Sequence, residues 1–345
     1  MKNILLLTDY RNHFYSSNDH YDASIDLVLL KEYFKVNSYN LIIKNFSDID
    51  FKNEDYKNKF ILYQSSEDRN LFYKGYIEDI ILGLHLKQAV LIPEFHLFRA
   101  HHNKVFMEII RDIADLQEIK NINADYYGTY EEYLTKIEKY NSDNYVLKPS
   151  SGAKSANIKL LNSSDKKIKY PKKISGSFHL IDYAKTKLAP FLKKIGSDYL
   201  PKSNNRNKFI IQNYIADYDL DFKVLIYGSK YYILLRKPRK DDFRASGSGF
   251  FSYTEKIPDG ILDYTEKVFN YFKVPFISLD IICKNGNFYV IEFQFLHFGN
   301  YTLQVAPFYF KKIDNKWQTI REKSILEKEF ADSVSLYIEK YFQIL

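Results

Sequence analysis

Three oxygen-bearing side chains late in the chain, Asp280, Glu292 and Gln294, have the spacing of a metal-binding group on one face of a β-hairpin. Ile277–Cys283 alternates, with Ile277, Leu279 and Ile281 on one face and Ser278 and Asp280 on the other. Downstream, Tyr289, Ile291 and Phe293 share a face, and Val290, Glu292 and Gln294 share the opposite one. Asn285-Gly286 favours a two-residue type I′ turn, but that register sets Leu279 against Glu292 and mixes the faces. A three-residue loop, Lys284-Asn285-Gly286 with a bulge, pairs Leu279 with Ile291 and makes Asp280 and Glu292 diagonal neighbours. Two carboxylates and an amide oxygen are hard donors, the kind Mg²⁺ takes beside substrate phosphates. A solvent-facing strand would alternate in the same way. Apolar density around these residues argues for burial, where a carboxylate needs a metal or a cation.

Cations stand in the preceding segments. Asp221–Tyr227, then Gly228-Ser229, then Lys230–Arg236 suits a type II′ hairpin, which sets Asp221 opposite Arg236 with Lys223 on the same face. These charges suit a salt-bridge ladder as well as a phosphate site. Arg239–Gly249 places Arg244 in a Gly/Ser-rich loop, which suits a phosphate or carboxylate clamp or a plain surface loop. Earlier still, Lys148 leaves a strand into Ser150-Ser151-Gly152-Ala153-Lys154-Ser155. Comparison with a P-loop fails, because Leu147 and Ala153 occupy glycine positions and Asn157–Leu161 reads as a strand. What remains is a lysine followed by a hairpin loop whose backbone N–H groups can cover a triphosphate.

The elements that must position these groups follow from the patterning. Ile4–Leu7, Leu41–Ile43, Phe60–Tyr63 and Ala89–Ile92 read as short strands around a helix at Tyr76–Leu86, which predicts a small parallel sheet. A long helix is predicted from Asn103 to Ile119, with Val105, Ile109, Ile113 and Leu116 on its apolar face. Lys166–Lys208 is weakly patterned, with loops expected around a helix at Tyr183–Ile195. Hairpins follow from Phe209 to Phe295, and Lys323–Phe342 has helical spacing. His101 and His102 read as surface residues at a helix start, and His297 as a structural histidine, with a substrate contact as the alternative.

Composition narrows the classes. A chain of 345 residues, 46% hydrophobic and 27% charged, is an ordinary globular protein of two or three lobes. A net charge of +7 permits an anionic partner without requiring nucleic acid. The single cysteine, Cys283, excludes an intrachain disulfide framework or a cysteine-based zinc cluster. The N-terminal apolar run is too short for a signal peptide, and no stretch approaches a membrane span, so a cytoplasmic protein is expected.

Taken in order along the chain, these motifs resemble the ATP-grasp superfamily, especially its carboxylate–amine ligase branch, which includes ribosomal-protein glutamate ligases. The resemblance spans roughly Ala100 to Pro307. It implies α/β lobes: an N-terminal domain at 1–100, a small lobe at 101–210 with a leading helix and a phosphate-covering loop, and a C-terminal lobe at 211–345 with the metal site. ATP is then expected between the last two. Lys148 stands at the family's phosphate lysine, and Ser150, Ser151, Gly152 and Ser155 at its flap. Gln212-Asn213-Tyr214-Ile215 resembles the hinge whose backbone meets adenine, and Asp221 and Lys223 the acidic and basic positions after it. Arg244 resembles the arginine at the transferred phosphate, acting with Lys223 and Arg236. Asp280, Glu292 and Gln294 match the metal triplet, and Lys104 a helix-start lysine. Asn213 replaces a common acidic residue, Gln294 the usual Asn, and Gln294–Gly299 lacks the customary small-residue and proline turn.

The implied activity is ATP- and Mg²⁺-dependent joining of a carboxylate to an amine through an acyl phosphate. The implied partners are a small-molecule, peptide or glycan acid and an amine co-substrate, with homodimer formation left open. A phosphotransferase acting on a hydroxyl, or a catalytically silent nucleotide-binding module, shares the same motifs. The arginine loop separates binding from chemistry. If Arg244 meets the transferring phosphoryl group, Arg244→Ala lowers kcat by about 10²–10³ while ATP affinity changes little. Arg244→Lys recovers little of this, because a point charge cannot reproduce the planar fork. Steady-state kinetics beside ATP titration decide it; a near-normal kcat would make the loop structural.

Overall fold

The computed structural model describes residues 1–14, 16–17, 23–141, 144–152, 157–177, 202–236 and 251–342. The expected helix at Tyr183–Ile195 lies outside them. The chain divides into two compact units, Met1–His101 with Asp115–Asn121 and Asp217–Leu345, and His102–Ala114 with Ile122–Ala216. In this division the 1–100 segment and most of 211–345 fall in one unit. Among the described residues no helix is long and apolar enough to cross a membrane.

The first unit contains the parallel sheet that the βα alternation predicts, in the order Tyr39–Asn45, Lys2–Thr8, Phe60–Leu62, Val90–Ile92. Ile4–Leu7 is apolar without alternation because a central parallel strand is buried on both faces. The unit also holds an antiparallel sheet ordered Asn287–Gln294, Phe276–Lys284, Leu220–Tyr227, Lys230–Arg236, Tyr309–Ile313, Lys316–Ile320. Phe251–Ser252 pairs with Lys230–Arg236 off that path. The C-terminal helix Leu326–Tyr341 joins the two sheets. Its Phe330, Val334, Tyr337 and Ile338 share one core with Ile4, Leu6 and Phe14 and with Tyr227 and Phe276. Each such buried side chain contributes roughly 1.5–3 kcal/mol.

The second unit is built on an antiparallel sheet ordered Ala124–Tyr127, Phe209–Asn213, Tyr145–Pro149, Lys159–Leu161. The last of these is the strand expected after the Ser/Gly loop. Its core is largely tyrosine, with Tyr127, Tyr130, Tyr133, Tyr140 and Tyr145 packed around Leu147 and Phe209. The hydroxyls are not left dry: Tyr140 Oη donates to Asp125 Oδ2 at 2.6 Å, and Tyr133 Oη to the Lys167 carbonyl at 2.9 Å.

Two helical expectations are corrected here. The predicted helix from Asn103 to Ile119 is Lys104–Ile113, then an extended break at Ala114–Leu116, then the turn Gln117–Lys120. Its buried stripe is Lys104, Met107, Glu108, Ile110 and Arg111, whereas Ile113 is exposed. Apolar periodicity pointed to the wrong face because Lys104, Glu108 and Arg111 share the inward face with Met107 and Ile110. A helix at Ser164–Ser175 also occupies part of the weakly patterned segment, with Pro171 inside it.

The metal-face hairpin is corrected as well. Asn285 and Gly286 form the two-residue turn after all, with φ of 50° and 74° and Lys284 paired to Asn287. The register then shifts between Asp280 and Ile281: Ile281 faces Val290, Asp280 faces Glu292, and Ile291 is the extra residue of a bulge. The bulge moves Val290 onto the apolar face beside Ile281 and restores the parity that the short turn would break. Asp280 and Glu292 are therefore directly opposite, not diagonal. Among the described residues, no atom beyond its chain neighbours stands within 4 Å of a Cβ built on Gly286, so backbone strain is what opposes a side chain there. Gly286→Ala should cost about 1–2 kcal/mol and Gly286→Asn less. Urea midpoints measure both; an alanine variant as stable as wild type would contradict the turn.

Candidate functional site

In the first unit the strand registers gather the expected charges on one sheet face. Glu292, Asp280 and Lys223 form one cross-strand row, because Asp280 is paired with both of the others. One row along, Asp221 faces Arg236, as the type II′ turn at Gly228-Ser229 requires. Gly228 takes φ +56° there, and a Cβ would come within 3.3 Å of Leu336 and Ser333. On the other side of the row Ser278 faces Gln294.

Arg236 ties this face together. Its Nε donates to Asp221 Oδ1 at 2.6 Å and its Nη1 to Asp280 Oδ2 at 3.2 Å. Asp221 and Arg236 are 3% and 5% exposed, so this is an interior ion group in which each charge depends on the others. Lys223 Nζ donates to Ser278 Oγ at 3.0 Å and stands 3.8 Å from Asp280 Oδ1. Burial pushes the Asp221 carboxyl up to about 7, against the pull of Arg236 and with a further push from Asp280. For Arg236, burial works against the charged form, but Asp280 and Asp221 outweigh it and raise the guanidinium further.

The donor set fits a hard divalent cation. Asp280 and Glu292 present carboxylate oxygens from opposite positions on neighbouring strands. Gln294 Nε2 donates to Glu292 Oε1 at 2.9 Å, which directs its amide oxygen away from that carboxylate. Oxygen donors alone suit Mg²⁺ better than a softer metal.

In the second unit Lys148 lies on Tyr145–Pro149 opposite Ile210, and Gln212 is its diagonal neighbour. Lys148 Nζ donates to Gln212 Oε1 at 2.7 Å, and Gln212 Nε2 to Glu108 Oε1 at 3.1 Å. The base of the Ser/Gly-rich loop after Lys148 is pinned to the helix start. Lys104 N donates to the Ser150 carbonyl at 2.8 Å and Lys104 Nζ to the Gly152 carbonyl at 2.9 Å. Asn103 Oδ1 caps the helix through the Phe106 N–H at 3.3 Å, and also accepts from Ser150 Oγ at 3.2 Å and Lys208 Nζ at 2.8 Å. Ser151 is exposed, and Gly152 takes φ +124°, a conformation that favours glycine. In Gln212–Ile215, Asn213 N donates to the Asn123 carbonyl at 3.0 Å and Tyr214 N to the Asn144 carbonyl at 3.3 Å, so both amides are used within the unit. Ile215 is half-buried.

Ser155 and Arg244 lie outside the described residues. Sequence reasoning missed Glu108, Arg111, Asn103 and Lys208; a Glu-x-x-Arg pair on a helix was the one available signal. His101 is a correction. It is buried, with Nδ1 at 2.7 Å from Ser65 Oγ and its ring 5.5 Å from that of His297. His102 is half-buried. His297 takes φ +53°, in the left-handed region that histidine enters more often than most residues other than glycine.

Asp221 holds its proton to higher pH than an ordinary carboxyl near 3.8. Its contribution to stability is thus complete below about pH 3.8 and is lost as pH rises through about 7. In metal-free protein, wild type should lose stability relative to Asp221→Asn as pH rises toward neutrality, by at most about 1.4 kcal/mol per pH unit. Urea unfolding across that range measures it. A difference that stays flat, or grows with pH, would place the proton elsewhere.

No family model and no curated protein matches the chain. Solved structures do. The D-cycloserine synthetase DcsG matches with a TM-score of 0.53 at 12% identity, over 96% of this chain and 98% of that one. A RiPP-associated ATP-grasp ligase from Chryseobacterium gregarium, in complex with ADP and a leader and core peptide, matches with 0.51 at 13% identity, over 96% of each chain. The ATP-grasp ligase PsnB, complexed with minimal precursor, Mg and ADP, matches with 0.50 at 9% identity, over 98% of this chain and 99% of that one. At such identities the likeness is one of fold. It runs through nearly the whole of each chain, and so through both units described above: this protein has the ATP-grasp fold.

Proposed function

We propose that the protein is an ATP-dependent ligase that joins a carboxylate to an amine through an acyl phosphate. The observation that carries this reading is the polar sheet face on which Asp280 stands directly opposite Glu292, beside Gln294, Lys223 and Arg236. The fold supports it, since it is shared by a synthetase and by ligases solved with a minimal precursor and with a leader and core peptide. Asp280, Glu292 and Gln294 would hold Mg²⁺, which would supply positive charge against the negative charge that develops during phosphoryl transfer.

In the reaction a substrate carboxylate oxygen attacks the γ-phosphorus, the bond to the β-phosphate oxygen breaks, and ADP leaves. The amine nitrogen then attacks the acyl carbon, inorganic phosphate departs, and the amine loses a proton. The chain mainly positions groups and stabilises charge. Lys148 meets the nucleotide phosphates, and Ser150, Ser151, Gly152 and Ser155 cover them. Gln212–Ile215 borders the adenine through backbone groups. Lys223 and Arg244 face the transferring phosphoryl group. Arg236 is enclosed by Asp221 and Asp280, so it acts through them, holding Asp280 in place for the metal. The acid is a small molecule or a peptide carboxylate.

ADP release measured over a matrix of acids and amines tests the reading. Release should require Mg²⁺, an acid and an amine together, and Glu292→Gln should reduce it to background. Turnover on a hydroxyl acceptor with no amine present would instead make the protein a phosphotransferase.

A further inference from the structure

Four buried polar residues of the second unit form one hydrogen-bonded chain, and donor chemistry sets its direction. Glu108 and Arg111, 0% and 1% exposed, stand about one turn apart on Lys104–Ile113, and Arg111 Nε donates to Glu108 Oε2 at 2.7 Å. The other carboxylate oxygen accepts from Gln212 Nε2 at 3.1 Å, and Gln212 Oε1 accepts from Lys148 Nζ at 2.7 Å. A carboxylate can only accept and an ammonium can only donate. Gln212 therefore has one tenable orientation, amide nitrogen toward Glu108 and oxygen toward Lys148. Turned over, it would set acceptor against acceptor and donor against donor.

We propose that Glu108 and Gln212 are positioning residues that hold the Lys148 ammonium ready for nucleotide phosphates, with Arg111 balancing the carboxylate at the far end. The inference rests on the reading that Lys148 meets those phosphates. A lysine side chain loses much rotamer freedom when it is immobilised, and a partner that fixes it beforehand removes that cost from binding. The amide also acts as a spacer. A carboxylate bonded directly to Lys148 would place an anion beside the triphosphate, whereas the glutamine passes on the orientation and keeps the full charge one side chain back. An ammonium has three N–H donors, so the bond to Gln212 does not by itself exhaust its capacity for phosphate oxygens.

Calorimetric titration of the full chain with a non-hydrolysable ATP analogue and Mg²⁺ tests this, using Lys148→Ala, Glu108→Gln, Gln212→Met and each of the latter two combined with Lys148→Ala. Lys148→Ala should weaken binding about tenfold or more. Glu108→Gln and Gln212→Met should each weaken it about three- to thirtyfold in the wild-type background, and much less once Lys148 is absent. Gln212→Met leaves the Glu108–Arg111 pair in place, so it reports even if Glu108→Gln fails to fold. Unchanged affinity in Lys148→Ala would overturn the role of Lys148 itself, and the positioning role with it. Loss in Lys148→Ala alone would overturn only the positioning role. Equal losses with and without Lys148 would make Glu108 and Gln212 structural residues, and would overturn it too.

Discussion

A charge carried out of water must meet its partner inside the fold, and this one constraint organises the polar face of each unit. In the first, Asp221, Arg236 and Asp280 are brought together from three strands that are neighbours in space, with Lys223 at the open side. In the second, Glu108 and Arg111 from a helix meet Gln212 and Lys148 from two strands. Neither group could form on a single element. The first exists only when strand register is right, and the second only when register and helix rotation are both right, so the packing of each unit and the geometry of its face stand or fall together.

Register is the more demanding requirement. A one-residue slip on Asn287–Gln294 would turn Glu292 toward the apolar side and Phe293 toward Asp280. The chain meets two local demands here that conflict. Asn285-Gly286 forms a tight turn of fixed length, and the alternation around Asp280 needs a different parity. The bulge at Ile291 satisfies both at the cost of one unpaired residue. Bulges concentrate where a side chain has to be re-aimed, and here the re-aimed residue is the carboxylate facing Asp280.

Much of the first unit was legible in the sequence, because its signals are local. Continuous apolar runs marked the buried parallel strands, and Gly228-Ser229 set the register that pairs Asp221 with Arg236. The carboxylate face was legible in outcome but not in mechanism, since parity alone does not distinguish a longer loop from a short turn with a bulge. The helix at Lys104–Ile113 was read on the wrong face for a physical reason. Periodicity assumes that buried means apolar, and here Lys104 and Glu108 are turned inward toward partners far away in sequence, in the loop after Lys148 and on Gln212, while Arg111 follows Glu108. Such partners cannot be read from the helix itself. His101 was misread in the same way, its partner being Ser65.

The central claim is that Asp280 and Glu292 are held opposite one another to bind a divalent cation. Anomalous scattering from Mn²⁺ in crystals grown with a non-hydrolysable ATP analogue tests it directly, because the ion is located without reference to activity. A peak bound by oxygens of Asp280 and Glu292, within reach of Gln294, is the expected result. A peak held by other residues, with Asp280 left on Arg236 and Lys223 and Glu292 on Gln294, would contradict it.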